Sequence, residues 1–99
     1  MRDEFISKIG VYGQMHYRYL RENKPSVLGV MRTKGTLRQY LEEVNADAEE
    51  MLARLETEMA KSEGVTEALK RQDQMAWVQR KTNIRARAME IVQREVIYV

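Results

Sequence analysis

Apolar residues recur along this chain at helical spacings, and the longest run of them is a seam. Leu37, Leu41, Val44, Ala48, Met51 and Leu55 follow one another in alternating steps of four and three residues, the pattern of a coiled-coil-like helix face. Tyr40, Leu52 and Met59 widen that face. The spacing predicts a helix over 37–63, roughly 40 Å long at about 1.5 Å per residue, with Gly64 as its C-terminal cap. Thr66 then suits the N-cap of a second long helix over 66–96, and Glu67 favours its positive end. On a helical wheel Trp77, Ile84, Ala88 and Ile91 form one stripe. Val78, Met89 and Val96 form a second, and Val92 bridges the two. Two adjacent stripes imply a helix packed on two sides, so Gly64–Val99 reads as the element around which the others assemble, with Trp77 enclosed. The short connection Gly64-Val65-Thr66 turns the two long helices back on each other as an antiparallel hairpin.

The N-terminal third carries weaker periods. Residues 1–9 show none and read as a short, frayed lead-in. Val11, Met15 and Tyr19, together with Tyr12 and Leu20, predict a helix over 11–22, ended by Asn23-Lys24-Pro25 because the residue before proline is pushed out of the α region. Pro25 fits the first turn of a second short helix over 25–34 carrying Val27, Leu28, Val30 and Met31. Thr36-Leu37-Arg38-Gln39 has the form of a capping box at the start of the long seam. The expected architecture is all-α: one domain over 1–99, a small helical bundle built on a long antiparallel hairpin with two shorter N-terminal helices.

Composition narrows the class without changing this outline. Ninety-nine residues, 43% hydrophobic and 32% charged, support one modest core in a water-soluble chain. No cysteine is present, which excludes disulfides and thiolate metal sites. No apolar run is long enough to span a bilayer, and the N-terminus lacks a signal peptide's apolar core, so a cytoplasmic location and no membrane partner are expected. The net charge of +2 is unevenly placed. Residues 1–36 hold seven Lys/Arg against three Asp/Glu, residues 37–63 three against eight, and residues 64–99 seven against four. An acidic helix lying between basic neighbours accounts for this. So does a positive N-terminal block that faces an acidic partner such as nucleic acid.

Residues capable of chemistry are few. His16 stands alone, with no second histidine, cysteine or helix-neighbour carboxylate, and reads as structural. Glu42, Glu43, Asp47, Glu49 and Glu50 lack the Glu-x-x-His motifs of di-metal bundles and read as a solvated face. No nucleophile elbow, phosphate loop or paired-carboxylate arrangement occurs. No catalytic, cofactor-binding or metal-binding residue is therefore assigned, and enzyme activity is not expected. His16-Tyr17-Arg18-Tyr19-Leu20-Arg21 does interleave aromatics with cations, a combination that can stack on bases and pair with phosphates. Arg18, Arg21, Lys24, Arg32 and Lys34, with Tyr17 and Tyr19, are the candidate contacts for DNA or another partner. The alternative is that they are solubilising charges and packing rings. Leu28-Gly29-Val30 followed by Arg32 and Thr36-Leu37-Arg38 also echoes a helix-turn-helix, although Pro25 and Gly35 would then fall inside its helices. The expected core is Trp77, Ile84, Ala88 and Ile91 against Leu41, Val44, Met51 and Leu55.

The segments Ile9-Gly10-Val11-Tyr12-Gly13-Gln14, His16–Leu20, Met59–Glu67, Gln74–Val78, Asn83–Ala88 and Glu95–Tyr98 resemble, in order, those of the transposon-encoded TnpV family. That family consists of small proteins carried on conjugative and mobilisable elements of gut Firmicutes. The resemblance spans about Ile9 to Val99. It implies mobile-element context and no particular reaction. The chain departs from the family pattern in a short leader before Ile9 and in the linker Arg32–Leu37, so an N-terminal contact made in relatives is expected to be missing. Three functions follow as expectations: a DNA-binding, excision-assisting or regulatory accessory factor; a module that docks on a recombinase or a host or defence protein; and a helical oligomerisation module, for which the seam admits a homodimer.

Overall fold

The computed structural model describes residues 3–99, and every regular element in it is helical. A 3-10 turn over Glu4–Lys8 leads into α1 (Val11–Asn23), α2 (Pro25–Lys34) and α3 (Leu37–Ser62). After these come α4 (Glu67–Gln72), α5 (Gln74–Val92) and a π-helical turn over Gln93–Ile97. Local chemistry sets most of the boundaries. Pro25 opens α2 at its first position, where a missing N–H costs nothing. At the end of α3, Gly64 takes the left-handed conformation (φ 70°). The Val65 N–H then donates to the Ala60 carbonyl at 2.8 Å and Gly64 N–H to Lys61, a Schellman turn with buried Val65 as its apolar contact. The Thr66 hydroxyl accepts from the Leu69 N–H, capping α4.

Two local readings give way to their surroundings. The capping box at Thr36 does not form. Thr36 N–H is drawn onto the Met31 carbonyl at 3.0 Å as part of the turn that ends α2. This holds Thr36 at φ −104°, ψ −2° with no side-chain cap, and Gln39 donates to Glu43 instead. The last helix is also not continuous over 66–96. Asp73 (φ −150°, ψ 87°) ends α4 and caps α5, its carboxylate accepting from the Ala76 N–H at 3.1 Å. At the other end the helix widens into the π turn, closed by Tyr98 N–H on the Gln93 carbonyl.

The spine is α3, not the C-terminal helix. α1, α2, α5 and the π turn all pack on it, whereas α4 packs on α5. The C-terminal turn meets the start of α3 through His16, which bridges Ile97 and Tyr40, while Arg85 and Arg87 of α5 bond Glu56 and Glu63 towards the other end of α3, so the two helices run antiparallel. Two buried clusters line the spine. At one end Ile9, Leu20, Leu28, Leu37 and Leu41 join the turn, α1, α2 and α3. Further along, Ala48, Leu52, Ala88, Val92 and Ile97 join α3 to α5 and the π turn, with Tyr12 and Met15 of α1 against them. The shape is a rod of 55 × 21 × 17 Å with a radius of gyration of 17.1 Å, against about 13 Å for a compact chain of this length. A four-element head thus narrows to a two-helix arm.

Burial follows the expected seam with exceptions at the arm. Leu41, Val44, Ile84 and Ala88 are buried, while Met51, Leu55 and Ile91 are half-buried. Trp77 is half-buried rather than enclosed, with the Lys70 ammonium 4.7 Å from its ring centroid. The second stripe of α5 is covered only towards its C-terminus. Met89 and Val96 pack in the second cluster, but Val78 is 47% exposed, because α1 does not reach that far. The lead-in is not frayed over its described residues. Phe5 and Ile6 pack against the first cluster and Ile9 is 4% exposed; residues 1 and 2 lie outside the described residues.

Candidate nucleic-acid interface

The N-terminal basic segment occupies the head, and the head is held by contacts made across helices. Asn45, in the middle of α3, caps α1. Its carbonyl oxygen accepts from the N–H groups of Tyr12 (3.0 Å) and Gly13 (3.1 Å), two donors that a helix start leaves without partners. Such proximity depends on glycine. A Cβ at Gly13 would lie 2.9 Å from the Leu41 carbonyl oxygen, and one at Gly10 2.5 Å from the Asn45 amide. The Gly10-x-x-Gly13 spacing therefore records the close approach of α1 to α3.

His16 is fully buried and joins three elements. Its Nδ1 lies 2.6 Å from the Ile97 carbonyl oxygen and its Nε2 2.8 Å from the Tyr40 hydroxyl. Because a carbonyl only accepts, the network assigns the proton to Nδ1, and the Tyr40 O–H donates to Nε2. Burial raises the Tyr40 pKa, which keeps that hydroxyl a donor. Ile97 lies at the end of the π turn, where carbonyls run out of intrahelical donors; His16 supplies one. Both ring nitrogens are thus committed. The His16 ring stacks on Tyr19 and tilts against Tyr40, and Tyr19 in turn meets Tyr98.

The structure divides the candidate contact residues. Tyr17 donates to the Asp3 carboxylate at 2.9 Å. Arg32 also binds Asp3, Nε at 3.0 Å, and donates to the Tyr17 hydroxyl at 3.1 Å. Its hydrogen bond to Asp3 raises the Arg32 pKa. Arg32 and Tyr17 therefore tie the lead-in to α1 and α2, and Tyr19 is held in the ring cluster; both tyrosines are half-buried. Arg18, Arg21, Lys24 and Lys34 are exposed. Arg21 lies over the Tyr17 ring and Lys24 over the Tyr19 ring, but among the described residues none of the four makes an ion pair. Elsewhere Arg38 pairs with Glu42, Arg54 with Glu58, Arg85 with Glu56, Arg87 with Glu63 and Arg94 with Glu95, while Arg71 and Arg80 are exposed without an ion pair among the described residues. The hydrogen bond from Arg87 depresses the Glu63 pKa.

The surrounding geometry limits other chemistries. Pro25 begins α2 and Gly35 ends it, so α2 and α3 do form a helical corner with a glycine turn. The outer face of α3, however, exposes Glu42, Glu43, Asp47 and Glu50, which repel phosphates, so α3 does not serve as a recognition helix. No three His, Asp or Glu side chains converge as a metal site among the described residues. A cleft of about 240 Å³ opens between the lead-in, the end of α2 and the start of α3, walled by Phe5, Met31, Arg32, Leu37 and Arg38. It lies below the size of ordinary small-molecule sites, and its arginines already have partners. Among the described residues no helix is long and apolar enough to cross a membrane.

Fold and surface together define a small all-helical protein with a basic face on its N-terminal head. The chain belongs to the transposon-encoded protein TnpV family, whose model matches residues 1–97, and is thus a transposon-associated protein. No curated protein and no solved structure matches it.

Proposed function

We propose that this protein is a non-enzymatic accessory factor of a mobile element, working in the cytoplasm, that binds duplex DNA through the outer face of α1 and the end of α2. The supporting observation is the placement of free positive charge. Among the described residues Arg18, Arg21, Lys24 and Lys34 are exposed and carry no ion pair, whereas Arg32, Arg38, Arg54, Arg85, Arg87 and Arg94 each have a carboxylate within 4.0 Å; outside the head, Arg71 and Arg80 are the arginines without one. Unpaired arginine and lysine are what phosphates attract, and such contacts set register and affinity rather than sequence. Tyr17 and Tyr19 are engaged in the head, so this reading rests on the cations alone. The expected role is assisting excision or regulating element genes by occupying DNA, with specificity supplied by other factors.

The test is fluorescence anisotropy on labelled duplex DNA at several salt concentrations. Four phosphate contacts give a log–log salt slope of about −3 to −4. Charge reversal at Arg18 and Arg21 together is expected to weaken binding at least about tenfold and to flatten that slope by about two. Both residues are exposed, so the variant keeps its fold by circular dichroism. Binding that survives the double change undiminished at low salt refutes the placement of this surface, and an absence of salt-sensitive binding refutes the function.

A further inference from the structure

We infer that Arg32 and Tyr17 form a further phosphate site on the head, which Asp3 fills in the free protein and a backbone phosphate of duplex DNA takes over on binding. The site rests on the DNA-binding reading above and adds to it a contact that the protein itself keeps closed. Three donors converge on one oxygen, Oδ2 of Asp3. The Tyr17 hydroxyl donates to it at 2.9 Å and Arg32 Nε at 3.0 Å, and Arg32 Nη2 completes the set. Nη2 also donates to the Tyr17 hydroxyl oxygen at 3.1 Å, so the donors hold one another in place. A guanidinium fork beside a hydroxyl is a receptor for an oxyanion. Here the chain's own carboxylate occupies it.

Three features let a phosphate displace that carboxylate. The pair is partly open to solvent, with the Arg32 side chain 31% exposed, and ion pairs of that kind hold weakly. The lead-in is anchored elsewhere, by Phe5 and Ile6 against the first cluster and by buried Ile9. Asp3 borders the cleft of about 240 Å³ between the lead-in, α2 and α3, so its side chain has room to swing off Arg32 while Phe5 stays packed. The donors also suit a phosphodiester. Both Arg32 bonds fall on a single carboxylate oxygen, whereas the two non-bridging oxygens of a phosphate can take the two N–H groups in parallel. The site adjoins the face assigned to DNA. Arg21 lies 5.7 Å from the centroid of the Tyr17 ring, so one tyrosine separates the occupied guanidinium from an unpaired one. Asp3 thus acts as an autoinhibitory contact that lowers the affinity of the head for DNA.

Asp3→Asn in the full chain tests the site, because the amide keeps the shape and an accepting oxygen but removes the competing charge. Anisotropy on labelled duplex DNA should show affinity at low salt rising at least about threefold, and the log–log salt slope steepening by about one, as one more phosphate contact requires. Removing a negative charge anywhere near DNA also raises affinity, so the cycle with Arg32→Gln decides the cause. If Arg32 is the receptor, Asp3→Asn gains less than about twofold in the Arg32→Gln background and leaves its slope unchanged. A gain of equal size in both backgrounds is a general charge effect and overturns the site. Wild-type binding that is salt-sensitive but unmoved by Asp3→Asn overturns the site and leaves the DNA-binding reading standing. An absence of salt-sensitive binding in both wild type and Asp3→Asn refutes that reading, and the site with it.

Discussion

Replacing His16 with Phe keeps most of the ring volume and removes both of its hydrogen bonds. The buried Ile97 carbonyl is then left without its partner and the half-buried Tyr40 hydroxyl loses its acceptor, and a buried polar group left unsatisfied costs about 1–3 kcal/mol. The expected loss is about 2–4 kcal/mol, a large part of the roughly 5–15 kcal/mol that holds a domain of this size. His16→Ala adds a cavity, and its loss should rise to about 3–5 kcal/mol. Tyr40→Phe removes one of the two bonds and should cost about 1–2 kcal/mol. If the pair interacts as the 2.8 Å contact implies, the double variant His16→Phe/Tyr40→Phe will cost less than the sum of the singles. Urea denaturation followed by circular dichroism measures these differences. Amide exchange over the π turn adds a local readout, because loss of the Ile97 bond frees that turn before the rest of the head opens. A His16→Phe change within 0.5 kcal/mol of wild type, with unaltered exchange at residues 93–97, would refute the account of His16 as the tie between α1, α3 and the C-terminal turn.

Two further outcomes follow from the same head. Burial holds the Tyr40 hydroxyl above its ordinary value of 10.0, so the unfolded chain gives up that proton first. The corresponding stability is intact below about pH 10 and falls as pH rises through the folded value; comparing wild type with Tyr40→Phe in urea at increasing alkalinity isolates it, and equal alkaline slopes would contradict it. Gly13→Ala places a Cβ 2.9 Å from the Leu41 carbonyl, so despite alanine's better helix propensity the variant should lose about 1–3 kcal/mol to overpacking. A gain in thermal midpoint would show that α1 does not need that close approach.

The family-like segments acquire a physical meaning in this arrangement. Gly10 and Gly13 let α1 reach Asn45; His16 and Tyr19 build the aromatic junction; Gly64 and Val65 form the turn that ends α3. These residues shape the scaffold. The free cations that support the functional reading lie between them, Arg18 and Arg21 exposed on α1 and Lys24 just past its end.

Some of this was legible in the residues alone because the interactions concerned are local. The 3.5-residue seam specifies α3, proline fixes the start of α2, and glycine with a following valine specifies the turn at Gly64; each acts within a turn or two of chain. The break at Asp73 was equally local and carried its signal, an aspartate three residues before Ala76, but an unbroken apolar period outweighed it. What only the tertiary structure decided are the contacts between residues remote in sequence. Asn45 caps a helix that begins thirty-four positions earlier, and His16 binds a carbonyl eighty-one positions away. Asp3 captures Arg32 and Tyr17. A side chain's donors and acceptors do not encode which distant backbone will arrive beside them. For that reason the basic segment looked uniform in sequence, and only folding separated the cations that hold the head together from those left free to bind.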